Sequence, residues 1–195
     1  MTVSQSFLLS GDCLNVAGTA WLSKLILWAT SLHTKLAWCS HTACYIGEGR
    51  CIEALNKAKI TELKRYDHKS FKLKVYRIPL TPDQRYAFTN GAFDIANRSY
   101  GWTKLPLFLL DALTTRLLSF FGRKTPAFFF TKYFGIFSIP VCSQLFVYIL
   151  HKYCGYYLID SRGRKVSWRI VQPDYLDDLL RLPVNKAEVV YSQNI

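Results

Sequence analysis

The stretch His41-Thr42-Ala43-Cys44-Tyr45-Ile46, then Gly47-Glu48-Gly49-Arg50, then Cys51-Ile52-Glu53-Ala54-Leu55 decides how this chain is read. Two short apolar runs, 41–46 and 51–55, flank a glycine-rich connection, which is the pattern of a β-hairpin. Two polar residues are embedded in it. His41 begins a strand just after Ser40, and Glu53 sits between Ile52 and Ala54-Leu55. Each would be costly to bury without a hydrogen-bond partner, and they can satisfy one another if they share a face. A two-residue turn at Glu48-Gly49 pairs Cys44 with Glu53 and sends His41 to the opposite face. A three-residue turn over 47–49, with Gly49 left-handed, pairs Ala43 with Glu53 and leaves His41 one diagonal step away, about 7–8 Å at the backbone. A His41–Glu53 pair therefore requires an odd-length connection; an even turn without a bulge separates the two residues.

Outward from the hairpin, residues 19–32 place Trp21, Leu25, Trp28 and Leu32 at helical period. Residues 71–78 alternate as a half-solvated strand, with Phe71, Leu73, Val75 and Arg77 on one side and Lys72, Lys74 and Tyr76 on the other. Pro79 and Pro82 precede a helix over 82–97 that Thr81 or Asp83 can cap. A second amphipathic helix covers 142–153. From Tyr156 the pattern reads as strands separated by Asp160-Ser161-Arg162-Gly163, then a helical turn near 173–181. The apolar, aromatic segment 104–137, broken by Gly122-Arg123-Lys124-Thr125-Pro126, reads as an insertion forming a cleft wall or a membrane-associating flap. No repeat or low-complexity linker interrupts the chain, and 195 residues suit one domain over 1–195.

The net charge of +12 suits an anionic polymer or an anionic membrane surface as partner, although no nucleic-acid motif is present. Twelve Tyr, thirteen Phe and five Trp provide either an aromatic core or a groove lining. Residues 105–121 contain Asp111 and Arg116, and 126–150 contain Lys132 and Pro140, so neither is a good spanning helix. The opening Met1-Thr2-Val3-Ser4-Gln5-Ser6 lacks the positive region of a signal peptide. The six cysteines, with no C-x-x-C pair, are accordingly read as mostly free thiols in a reducing compartment, the cytoplasm or the periphery of a membrane facing it.

Cys142 follows Pro140-Val141 and opens a helical pattern with Leu145, Phe146, Ile149 and Tyr153. On a helix's first turn a thiol meets unpaired N–H groups and the positive end of the peptide dipoles. Both favour the reactive thiolate. A buried structural cysteine is the alternative. Among the histidines, His151 lies nine residues further along the same helix, on its opposite face. His33 can cap the first helix, and His68 lies in the charged run Arg65-Tyr66-Asp67-His68-Lys69. His41 is left as the base that best fits a partly buried, partnered imidazole.

Gly11-Asp12, Ser40-His41-Thr42-Ala43, Gly47-Glu48-Gly49, Ile52-Glu53-Ala54, Tyr100-Gly101-Trp102, Cys142-Ser143-Gln144-Leu145 and Pro173-Asp174-Tyr175-Leu176, taken in this order, resemble the circularly permuted papain-like amidases. These form the permuted branch of the NlpC-type cysteine peptidase superfamily that includes the YiiX-like proteins. The resemblance spans about 11–180, with histidine and acid first and cysteine last. It implies an α+β fold with a small antiparallel sheet against helices. It further implies Cys142 as nucleophile, His41 as general base and Glu53 as the residue orienting the imidazole. Gln144 stands where the family often has glutamate. The activity implied is thiol-dependent hydrolysis of an amide (peptide, isopeptide or cell-wall peptide) through an acyl-enzyme, with no cofactor. Three alternatives remain open: a lipid or fatty-acyl hydrolase or acyltransferase at a membrane, an inactive basic binding module, and a zinc site, which His41, Glu53 and Cys142 suit by type.

Overall fold

The computed structural model describes residues 5–18, 23–24, 27, 38–54, 57–67, 71–98, 110, 114 and 142–194. Most of 19–32 and 104–137, together with Tyr100-Gly101-Trp102, Leu55, His33 and His68, lies outside the described residues.

Six strands make one sheet: β1 (Cys13–Ala17), β2 (His41–Gly47), β3 (Arg50–Ala54), β4 (Ala58–Glu62), β5 (Lys72–Arg77) and β6 (Glu188–Gln193). Their order is β4-β3-β2-β1-β5-β6, with every neighbouring pair antiparallel. Three helices bounded by described residues accompany the sheet: α1 (Pro82–Ile95), α2 (Cys142–Cys154) and α3 (Pro173–Arg181). The architecture is the α+β arrangement anticipated, a small antiparallel sheet packed against helices. Strands β1, β4 and β6 add to what the residue pattern picked out. All five residues of β1 are buried, so it lacks the alternation that marks a half-exposed strand.

Both faces of the sheet are covered. On one side Cys13, Cys44, Ile52, Tyr76 and Ile78 pack with α1, α2 and α3. On the other, Leu14, Val16, Ala43, Tyr45, Leu73 and Val75 pack with Leu8, Leu63 and Tyr66. This corrects the half-solvated reading of 71–78. Lys72 is exposed, but Tyr76 is fully buried and its hydroxyl donates to Asp177 of α3 at 2.8 Å. A second correction concerns the segment after Tyr156, where a single isolated bridge, Ile159 to Lys165, replaces the expected strands. The helix expected over 82–97 ends at Ile95 and is started by Thr81, whose hydroxyl accepts from Gln84 N while Gln84 Oε1 accepts from Thr81 N.

The hairpin does not have the three-residue turn. Gly47 pairs with Arg50 across the two residues Glu48 and Gly49, both at positive φ. Between Tyr45 and Gly47 the register shifts, because Ile46 is an extra residue on β2. The bulge supplies the odd residue that the turn lacks. Ala43 consequently stands opposite Glu53, and His41 lies on the same face as both.

Helices α1 and α2 meet through Phe88 and Phe146, whose ring centroids are 5.9 Å apart, and through Gly91. A Cβ on Gly91 would lie 2.5 Å from Tyr153 Cγ, near the stem of the ring, where it cannot swing aside. Gly91→Ala should gain up to about 1 kcal/mol in helix propensity and lose about 1–3 kcal/mol to overpacking. Net destabilisation in urea unfolding is the expected result, and a stabilised variant would contradict this packing.

Candidate active site

Three elements converge on the start of α2. The pairing of β2 with β3 ends at Ala43 and Glu53, so the N–H of Thr42 falls beyond the ladder. That N–H acts on the Cys142 thiol instead, as does the N–H of Ser143 in the first turn of α2, each lowering its pKa. The third partner of the sulfur is the imidazole of His41. Cys142 is buried, at the edge of the core cluster that α1, α2 and α3 form with the sheet.

The far side of the ring is held by Glu53, with His41 Nε2 at 2.8 Å from Glu53 Oε2. With Nε2 so occupied, Nδ1 is the nitrogen left to face sulfur. Glu53 is itself buried and fully engaged: Tyr66 Oη donates to Oε2 at 2.7 Å and Arg65 Nη1 donates to Oε1 at 3.0 Å. The structure thus joins His41 to Glu53 by a hydrogen bond and sets Cys142 where the imidazole acts on its thiol. His151 lies elsewhere, its ring 4.6 Å from that of Tyr157 and its pKa lowered by burial.

Burial alone would raise the Cys142 thiol. The hydrogen bond and charge of His41, with the two N–H donors, outweigh it, so the pKa falls below the ordinary thiol value. Burial would likewise lower His41, and its bonds to Cys142 and Glu53 reverse that into a raised pKa. For Glu53 burial pushes upward, but His41, Tyr66 and Arg65 win and hold the carboxyl at about 2. The other five cysteines are free and buried, and burial raises every one of them. Cys142 alone among the six has its pKa lowered.

Arg65 and Tyr66 belong to the charged run 65–69. They come from the short 3-10 turn Leu63–Tyr66, which follows β4 and folds back over Glu53 because β4 pairs with β3. The aromatic ring within that charged run was the one hint of burial. Tyr66→Phe removes a buried donor from a carboxylate and should cost about 1.5–3 kcal/mol in urea unfolding, the range for hydrogen bonds to charged groups. A loss below 0.5 kcal/mol, roughly the noise expected of a surface substitution, would show that the hydroxyl does not matter.

Among the described residues no group of three His, Cys, Asp or Glu side chains is disposed to hold a metal ion. No described helix is long and apolar enough to cross a membrane. No protein-family model and no curated protein matches the chain. Among solved structures, the chain is similar to the metalloprotein yiiX from Escherichia coli O157:H7. That likeness has a TM-score of 0.49 at 17% identity, and it covers 78% of this chain and 69% of the other.

Proposed function

We propose that the protein is a papain-like cysteine hydrolase that cleaves an amide bond through an acyl-enzyme on Cys142. The observation carrying this reading is the line Cys142–His41–Glu53, in which the one thiol lowered in pKa is bonded to an imidazole whose other nitrogen is committed to a carboxylate. His41 Nδ1 accepts the Cys142 proton. The sulfur attacks the substrate carbonyl carbon, and the carbonyl π electrons move to oxygen. N–H groups at the start of α2 are placed to stabilise that oxyanion. His41 then gives its proton to the leaving nitrogen as the C–N bond breaks. Water, losing a proton to His41, attacks the thioester and releases the acid with regeneration of Cys142. Glu53 keeps Nδ1 toward sulfur throughout and stabilises the charged ring.

An amide of peptide type is the substrate class that the family resemblance favours. A fatty-acyl substrate at a membrane would call on the 104–137 segment, most of which lies outside the described residues.

The test needs no substrate. Limiting iodoacetamide at pH 6.5, followed by peptide mapping, is expected to label Cys142 ahead of Cys13, Cys39, Cys44, Cys51 and Cys154. Equal labelling of several cysteines would remove the basis for an activated nucleophile. A panel of acyl-aminocoumarin amides and esters then identifies the bond cleaved.

A further inference from the structure

The segment 169–177 touches both halves of the site. At the nucleophile end, Ser143 Oγ donates to Val171 O at 2.8 Å and Gln144 Nε2 donates to Arg169 O at 2.7 Å, which moors the first turn of α2. At the base end, one oxygen of Asp174, Oδ1, accepts the successive backbone N–H groups of Trp38 and Cys39, both at 2.9 Å. The next N–H, that of Ser40, goes to Val16 O at 3.0 Å, and His41 follows as the first residue of β2. Cys39 Sγ in turn donates to the His41 carbonyl at 3.2 Å.

Asp177, one turn further along α3, holds the other flank. Its carboxylate accepts from Trp38 Nε1 at 2.8 Å, from Tyr76 Oη at 2.8 Å and from Asn15 Nδ2 at 3.2 Å, and it pairs with Arg181. Asn15 Oδ1 accepts from Thr42 Oγ1 at 3.1 Å. Thr42 is the residue whose N–H points at Cys142 Sγ. His41 is therefore bracketed on both sides, at 38–39 and at 42, by two carboxylates that are each 2% exposed. Carboxylate-to-N–H bonds of this kind are short and strong, and one oxygen shared by two consecutive amides fixes both peptide planes.

Taking Cys142 as the nucleophile, we propose that Asp174, assisted by Asp177, is a positioning residue that sets the separation and angle between His41 and Cys142. It acts from more than 130 residues away in sequence, through the 38–39 backbone. Asp174 holds the backbone of 38 and 39, and Asp177 holds Trp38, Tyr76 and Asn15. Their role is to refer strand β2 and helix α2 to one common segment, so that the base and the nucleophile move together.

The test compares Asp174→Ala with Asp174→Asn by the pH profile of Cys142 alkylation. Alanine removes the acceptor. Alkylation below pH 7 should then slow by about 10–100-fold, the scale set by a 1 Å misplacement of a catalytic group. The rate should approach wild type near pH 10, where the thiol ionises without help. Asparagine keeps an oxygen for both N–H groups and should restore the rate to within about threefold of wild type. If alanine prevents folding, Asp174→Glu, which moves the carboxylate by one methylene, is expected to show the same low-pH loss. A lowered melting temperature with an unchanged pH profile would reduce Asp174 to a merely structural role and overturn the proposal. If wild-type Cys142 is not selectively alkylated, the nucleophile reading fails and this proposal with it. A selectively reactive wild type with an unaltered variant profile defeats this proposal alone.

Discussion

His41→Ala is expected to slow alkylation of Cys142 at pH 6.5 by on the order of a hundredfold, the lower end of what a positioned base contributes. In the native site the imidazole opposes the upward push of burial on the thiol. Without it only the N–H groups of Thr42 and Ser143 remain on that side, and burial prevails. Each unit by which the thiol rises above the working pH removes about tenfold of the thiolate. Greater intrinsic nucleophilicity recovers part of this, with a slope of roughly 0.4–0.5. The deficit should shrink as pH approaches 10 and ionisation no longer depends on a partner. Hydrolysis should fall further than alkylation, since His41 also protonates the leaving group. A change smaller than about threefold, the scale on which such ionisation effects become hard to separate from error, would show that His41 does not govern the sulfur.

Glu53→Ala carries the largest expected loss of stability. The carboxylate is 1% exposed and bonds to His41, Tyr66 and Arg65. Its removal leaves the imidazole without the carboxylate that helps raise its pKa, and a buried phenol facing a void. Breaking a buried pair in this way costs about 3–5 kcal/mol. Glu53→Gln, which keeps the shape and one acceptor, should lose less. Urea unfolding at pH 7 measures both, with an unchanged m-value showing that the loss is in stability alone.

The same group gives an acid signature. The folded protein holds the Glu53 carboxyl at about 2 against an ordinary 4.5, so the unfolded chain binds its proton more readily. The stabilisation is complete above about pH 4.5 and drains away as pH falls toward 2. Glu53→Gln should therefore show a shallower loss of stability across that interval than the native chain does.

Much of this site was legible in the residues. A histidine and a glutamate embedded in two apolar runs advertised a buried pair, and a cysteine at the start of a helical pattern advertised an assisted thiol. Turn length was not legible. The glycines at 47 and 49 allowed turns of either parity, and nothing local distinguishes Ile46 as a bulge from Ile46 as an ordinary strand residue. Tyr66 and Arg65 were illegible because their approach to Glu53 depends on β4 pairing with β3, a contact that leaves no periodic trace. Asp174 and Asp177 were hidden by distance. A carboxylate in the first turn of a helix looks like ordinary helix chemistry until the backbone it grips, far back in the chain, is in view. Tyr76 was misplaced for the same reason, since α3 covers the face that alternation alone assigns to solvent.

The bulge at Ile46 gives the hairpin an arithmetic character. Between His41 and Glu53 the site depends on parity: an odd count of extra residues puts the base and its carboxylate on one face, and an even count puts them on opposite faces. Side-chain exchanges at position 46 leave the count alone, so the hairpin can drift in composition without losing its geometry. A single deletion there is a phase error, and a compensating insertion at the turn, with no residue restored at 46, is its natural cure. The active geometry of this chain is stored partly as a number of residues, independent of which residues they are.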